Sequence, residues 1–183
     1  MIDNNILAAL VVVSIVISLG GVFLITNMSA GRIGMATGTV GMQLDPDTTI
    51  TLVTSDINFG TVTLGQRDDT TDGIPLPFYI RNDGSVAVDI TIGATDLFTS
   101  TPNPTINYQF MCGGTTEMVL CPVGSVVTWT NMPIELLPIT VVKGLGFGDT
   151  ADEIEIEIAI GVPTDEPAGN KASTVTLTAS EAI

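Results

Sequence analysis

Between Ile6 and Ile25 the chain reads ILAALVVVSIVISLGGVFLI, twenty positions without a charged side chain, fourteen of them Ile, Leu, Val or Phe. On the insertion scale such residues favour the bilayer by roughly −0.3 to −0.6 kcal/mol each, on the order of −4 to −8 kcal/mol together. Twenty residues of helix span about 30 Å, the thickness of a bilayer's hydrocarbon core. The run is too long and unbroken for a buried strand despite its β-branched content. It predicts a membrane-competent helix, and it divides the sequence into an apolar segment over 1–41 and a remainder over 42–183.

The flanks offer three identities for this segment. A cleavable secretory signal needs a basic n-region and a shorter apolar stretch, whereas this chain opens MIDNN with Asp3. A plain uncleaved anchor would carry basic residues on its cytoplasmic side, yet the nearest is Arg32, seven positions past the run. The lack of any orienting charge leads to the third expectation, that a basic leader has been removed.

That third identity rests on the MIDNN start, the run Ile6–Ile25 and the small-residue continuation to Gly41. In these features the chain resembles the type IV pilin-like superfamily, particularly archaeal pilins and archaellins. The resemblance implies a leader cut ahead of the hydrophobic helix, residence in the membrane before assembly, and packing of that helix into a filament core. It also implies a β-sandwich head. Carried onto this sequence, the assembly face comprises Ile6, Leu10, Val13, Ser14, Ile17, Ser18, Gly21 and Leu24. Many bacterial pilins have glutamate at the fifth mature position, where this chain has Asn5. Ser14 with Ser18, and Ala30 with Gly34 and Gly38, recur at four-residue spacing, which on a helix allows close backbone approach. Residues 27–41 read equally as a continuation of the helix or as a flexible linker.

From Thr39 the pattern has period two. Short β-branched runs such as TTITLVT, INFGTVTL, LPFYIRN, VAVDITIGA, INYQFMC, VVTWTN and STVTLTAS are separated by Gly, Pro, Asp or Asn. In DEIEIEIAIGV the alternation is complete: Ile154, Ile156, Ile158 and Ile160 are expected in a core, and Glu153, Glu155 and Glu157 in water. FYIRNDGSVAVDITI reads as a hairpin turning at Asp83-Gly84, with Gly84 at positive φ, and the C-terminal pair of strands as a closing hairpin. The expected fold class is mainly β with one N-terminal hydrophobic α-helix, the head being an immunoglobulin-like β-sandwich.

Chemistry is constrained by what is missing. Five basic and twenty acidic residues give a net charge of −15, and there is no histidine. A nucleic-acid partner is excluded for want of a basic face, and the commonest general base and metal ligand are absent. No phosphate loop, nucleophile elbow or dinucleotide fingerprint occurs. Cys112 and Cys121 are expected to form a small disulfide clip outside the cytoplasm. Asp45 with Asp47, Asp68 and Asp69 with Asp72, and Asp149 and Asp152 with Glu153 raise calcium, but none has the EF-hand spacing and no ligands are assigned. Phe78, Tyr79 and Trp129 are expected to pack in a core within strands. Asn27 heads the sole N-glycosylation sequon.

The function expected is structural, without enzymatic activity or cofactor: a subunit of an extracellular type IV pilus-like filament, serving adhesion or motility. Its partners are copies of itself in a helical homopolymer, and the membrane before assembly; the surface ligand is unknown. The alternative is a monomeric, membrane-anchored Ig-like surface binding or envelope protein. A secreted hydrolase would require a concave pocket holding two close carboxylates.

Overall fold

The strict alternation of EIEIEIAIG builds the strand around which the rest is organised. In the computed structural model, which describes residues 45–115 and 120–183, Glu153–Gly161 is the eighth of nine strands, β8, within a compact unit over Leu44–Ile183. The others are β1 (Ile50–Thr54), β2 (Arg67–Asp69), β3 (Phe78–Asn82), β4 (Val88–Ala94), β5 (Tyr108–Gly113), β6 (Thr130–Asn131), β7 (Ile139–Leu145) and β9 (Val175–Glu181). β8 pairs with β3 and then β2 along one side, and with β5 along the other. The large sheet runs β1-β3-β8-β5-β6, and a second sheet runs β7-β4-β9; all the pairings between strands are antiparallel.

Register aligns the apolar faces. Phe78 and Cys112 flank Ile156, Ile80 lies opposite Ile154, Phe110 opposite Ile158, and Tyr108 opposite Ile160. Against them the small sheet turns Val88, Ile90, Ile92, Val141, Val142 and Leu145, all fully buried. A buried aliphatic side chain of this size is worth roughly 1.5–3 kcal/mol, so this single core is the principal stabilising element. Val126 ties the two sheets along one side: its carbonyl accepts from the Cys112 amide (2.6 Å) and its own amide donates to Val141 O (2.9 Å). β9 lies on the opposite side of β4, where Val175, Leu177 and Ala179 are only partly buried.

Several expectations are corrected. Among the described residues every regular element is a strand and no helix occurs, so the class with an N-terminal helix is replaced by an all-β one. Period-two alternation cut by Gly and Pro leaves no apolar stripe of helical period there. Residues 1–41, with Ile6, Leu10, Val13, Ser14, Ile17, Ser18, Gly21, Leu24 and Asn27, lie outside the described residues. The two antiparallel sheets are compatible with a β-sandwich, but the strand order is not that of a constant-type immunoglobulin domain, whose CFG sheet is centred on a late strand. Here the small sheet is centred on β4, which precedes both its neighbours.

Neither expected hairpin forms. β3 and β4 lie in different sheets, as do β8 and β9, so NDGSVA and PTDEPAGNK cross the core edge. Gly84 has no positive φ; its lack of a side chain is required because the Asp47 carbonyl occupies the place of a Cβ. Ile57–Leu64 is not a strand. Gly60 at φ 64° interrupts it, its amide bonding to Asn58 Oδ1 (2.8 Å), while Ile57, Phe59 and Val62 still pack on the core.

Candidate functional site

Two long connections, from β4 to β5 and from β8 to β9, meet within the β unit, and Glu166 clasps them. Its carboxylate accepts the Thr99 amide (3.1 Å), the Thr99 hydroxyl (2.9 Å) and the Ser100 amide (2.9 Å), and pairs with Lys171 Nζ. The side chain is 1% exposed. Burial alone would push this carboxyl up, but the Lys171 ammonium and the Ser100 and Thr99 hydrogen bonds outweigh it and hold Glu166 well below the usual range. The two connections are thereby locked together.

Beside the clasp lies an open cleft of about 490 Å3. One wall is Thr101, Ile106 and Asn107; the other is Val162, Pro163, Thr164 and Asp165, with Gly65, Gln66 and Arg67 entering from β2. Reciprocal backbone bonds, Gly65 N to Val162 O (2.8 Å) and Val162 N to Gln66 O (2.9 Å), hold β2's approach against the end of β8. Gly65 adopts φ 74°, a conformation that other residues rarely take. Asn107 is fixed by its carbonyl, which accepts from Gly161 N (2.8 Å), and by its side-chain amide, which donates to Thr101 Oγ1 (3.3 Å).

Arg67 and Asp165 are the charged groups that line this cleft, and the Arg67 guanidinium is oriented by its neighbours. Nη1 donates to Gln109 Oε1 (2.9 Å), Gln109 in turn donates to Asn131 Oδ1 (3.1 Å), and the guanidinium carbon lies 5.3 Å from the centroid of the Trp129 ring. Gln109 is buried and Trp129 half-buried. Arg81, Lys143 and Lys171 each pair with an acid, at Asp83, Asp89 and Glu166 respectively. Among the described residues Arg67 is the cation left without a salt bridge. In a chain of net charge −15, this is a positive point oriented by an aromatic face and an amide relay, with most of its N–H groups uncommitted.

On the outer face of the large sheet, the expectation that Glu157 faces water is corrected. Its side chain is covered by Thr70, whose hydroxyl donates to Oε2, and by Gly113, where a Cβ would lie 2.6 Å from Oε1. Burial pushes its carboxyl up against the Thr70 hydrogen bond, and Asp69 adds to the rise. Glu155 is also raised, by burial and by the neighbouring Glu157 charge.

Cys112 and Cys121 form the expected disulfide. Two of the acidic clusters serve their own turns: Asp47 caps Thr49, Asp69 caps Thr71 and Asp72 caps Ile74. No group of three or more metal-ligating side chains occurs among the described residues. Phe78 is in the core, but Trp129 precedes β6 and supports Arg67 rather than packing in a core strand. Sequence reasoning missed Arg67, Gln109 and Asn131. The available signal was a lone cation, in GQRDDTTDG, within an acid-rich, turn-rich stretch. No family model, curated protein or solved structure matches this chain.

Proposed function

We propose that this chain is a structural subunit of an extracellular type IV pilus-like filament. In this reading the apolar segments of many copies associate at the filament core, the β units form the outer surface, and the subunit acts in adhesion or motility. The observation that carries it is the pairing of the apolar run Ile6–Ile25 with a disulfide-bonded β unit whose core is assembled from residues within 50–179. A unit with its own core can be displayed while the preceding segment serves association. The acidic surface keeps neighbouring filaments apart.

The test is negative-stain electron microscopy of material sheared from cells, with peptide mass spectrometry of the same fraction. Uniform thin filaments containing this chain are expected. A chain that stays with membranes and is released by detergent as a monomer would overturn the filament and leave an anchored surface domain.

A further inference from the structure

We propose that the cleft beside Arg67 binds a carboxylate-bearing saccharide, with Arg67 taking the carboxylate and the cleft walls taking the sugar ring. This stands apart from the filament reading, since the cleft belongs to the β unit whether or not the chain polymerises.

The charge pattern selects the anionic group. Arg67 is the cation without a salt bridge among the described residues, and its planar fork suits a carboxylate bidentately. Its orientation is set before any ligand arrives, by the Gln109–Asn131 relay and the Trp129 ring. Preorganisation of this kind lowers the ordering cost of binding. A nucleic acid would need a run of cations that this cleft lacks.

The walls select a saccharide over a bare anion. They combine hydrogen-bonding groups at Gln66, Thr101, Asn107 and Thr164 with apolar Ile106 and Val162. A pyranose presents the same two kinds of surface, hydroxyl and C–H. Asp165 accepts from hydroxyls and, as a second charge, disfavours a small multivalent anion. The Glu166 clasp ties together the connections that carry both walls.

Trp129 is the single tryptophan of the chain, so its emission reports on Arg67 directly. The experiment titrates the full chain, in detergent micelles, with trigalacturonate, an oligoguluronate and a hyaluronan tetrasaccharide, and with neutral galactotriose as the comparison. At least one uronate is expected to change Trp129 emission saturably, with binding that weakens as salt rises, while galactotriose does not. R67Q should weaken that binding roughly tenfold or more. R67K, which keeps the charge without the fork, should weaken it less, and K143Q should leave it unchanged. Arg67 is exposed, and far-UV circular dichroism checks that the variants fold. Silence with all three uronates, equal binding of galactotriose, or full binding by R67Q would each overturn the proposal. So would an R67Q variant whose measurable defect lies in association between copies rather than in uronate binding.

Discussion

Asn82 closes β3 with a side-chain amide, 1% exposed as a residue, that donates to Val86 O (2.9 Å), Leu145 O (3.2 Å) and Gly146 O (2.8 Å), while its Oδ1 accepts from Gly84 N (3.0 Å). One residue therefore satisfies backbone groups from the β3–β4 crossover and the end of β7. Replacing it by Leu would strand the buried Leu145 carbonyl, at about 1–3 kcal/mol, and leave the part-buried Val86 and Gly146 carbonyls without this partner. Asn82→Leu is expected to lose about 2–4 kcal/mol of stability in urea unfolding followed by Trp129 emission. The glutamates act with opposite signs. Glu166, held below its ordinary value of 4.5, contributes stability that is present above that pH and lost as pH falls toward the depressed value. Glu157, raised by burial, costs stability as pH rises from 4.5 through its folded pKa. Glu166→Gln should thus be less stable than the parent at pH 7 and less sensitive to acid. Glu157→Gln, whose amide oxygen can still accept from Thr70, should be more stable at pH 7, with the gain vanishing below about pH 4. Unfolding midpoints measured across this range check both. Neither role was legible in the sequence: Glu157 sits in perfect alternation, and only the tertiary approach of Thr70 and Gly113 covers it.

Strands were legible where period two ran unbroken: β1, β3, β4, β6 and β8 lie within runs expected to be extended, and β5 and β9 pass the ends of theirs by one residue. β7 was missed. Val141 and Val142 are both buried, the β4–β7 register shifts on either side of Ile90, and Gly144 sits at φ 64°, so the alternation is lost in the sequence itself. β2 is only three residues, RDD, without an apolar position to reveal it. The two misread hairpins share one cause. Turn residues report where the chain reverses, but not whether the next strand pairs with the last or crosses to the facing sheet. The disulfide was legible from spacing and count, and the fold explains its position: Cys112 occupies an inward position on β5, 4% exposed, opposite Ile156. Closing this short loop limits the unfolded chain by about 2–3 kcal/mol. A Cys112→Ser, Cys121→Ser double variant is expected to lose that amount in denaturant, without change in its strand content by circular dichroism. Loss of strand content in the native baseline would mean that the bridge is needed to form β5 rather than to hold it.

At the scale of the molecule the governing fact is charge. With three of the four cations among the described residues paired to nearby acids, the net charge of −15 is left largely uncompensated over the surface. Copies carrying such a surface repel one another over a distance set by salt, about 10 Å at 0.1 M and about 3 Å at 1 M. Two treatments should let copies associate, and they are distinguishable because Glu166 responds to only one. Raising salt at pH 7 screens the repulsion while the buried Glu166 clasp stays ionised and shielded from solvent. Association seen by light scattering should then be accompanied by unchanged or higher resistance to urea. Lowering the pH toward the isoelectric point near 4.1 also removes the repulsion, but it enters the range in which the stability due to Glu166 begins to fall away. Protonation of Glu157 offsets part of that loss, so the clasp is read from the comparison with Glu166→Gln, whose urea midpoint should fall less than the parent's between salt at pH 7 and acid. If the difference between the two treatments were the same in both chains, the clasp would contribute nothing to stability, and the surface charge alone would set how these molecules meet.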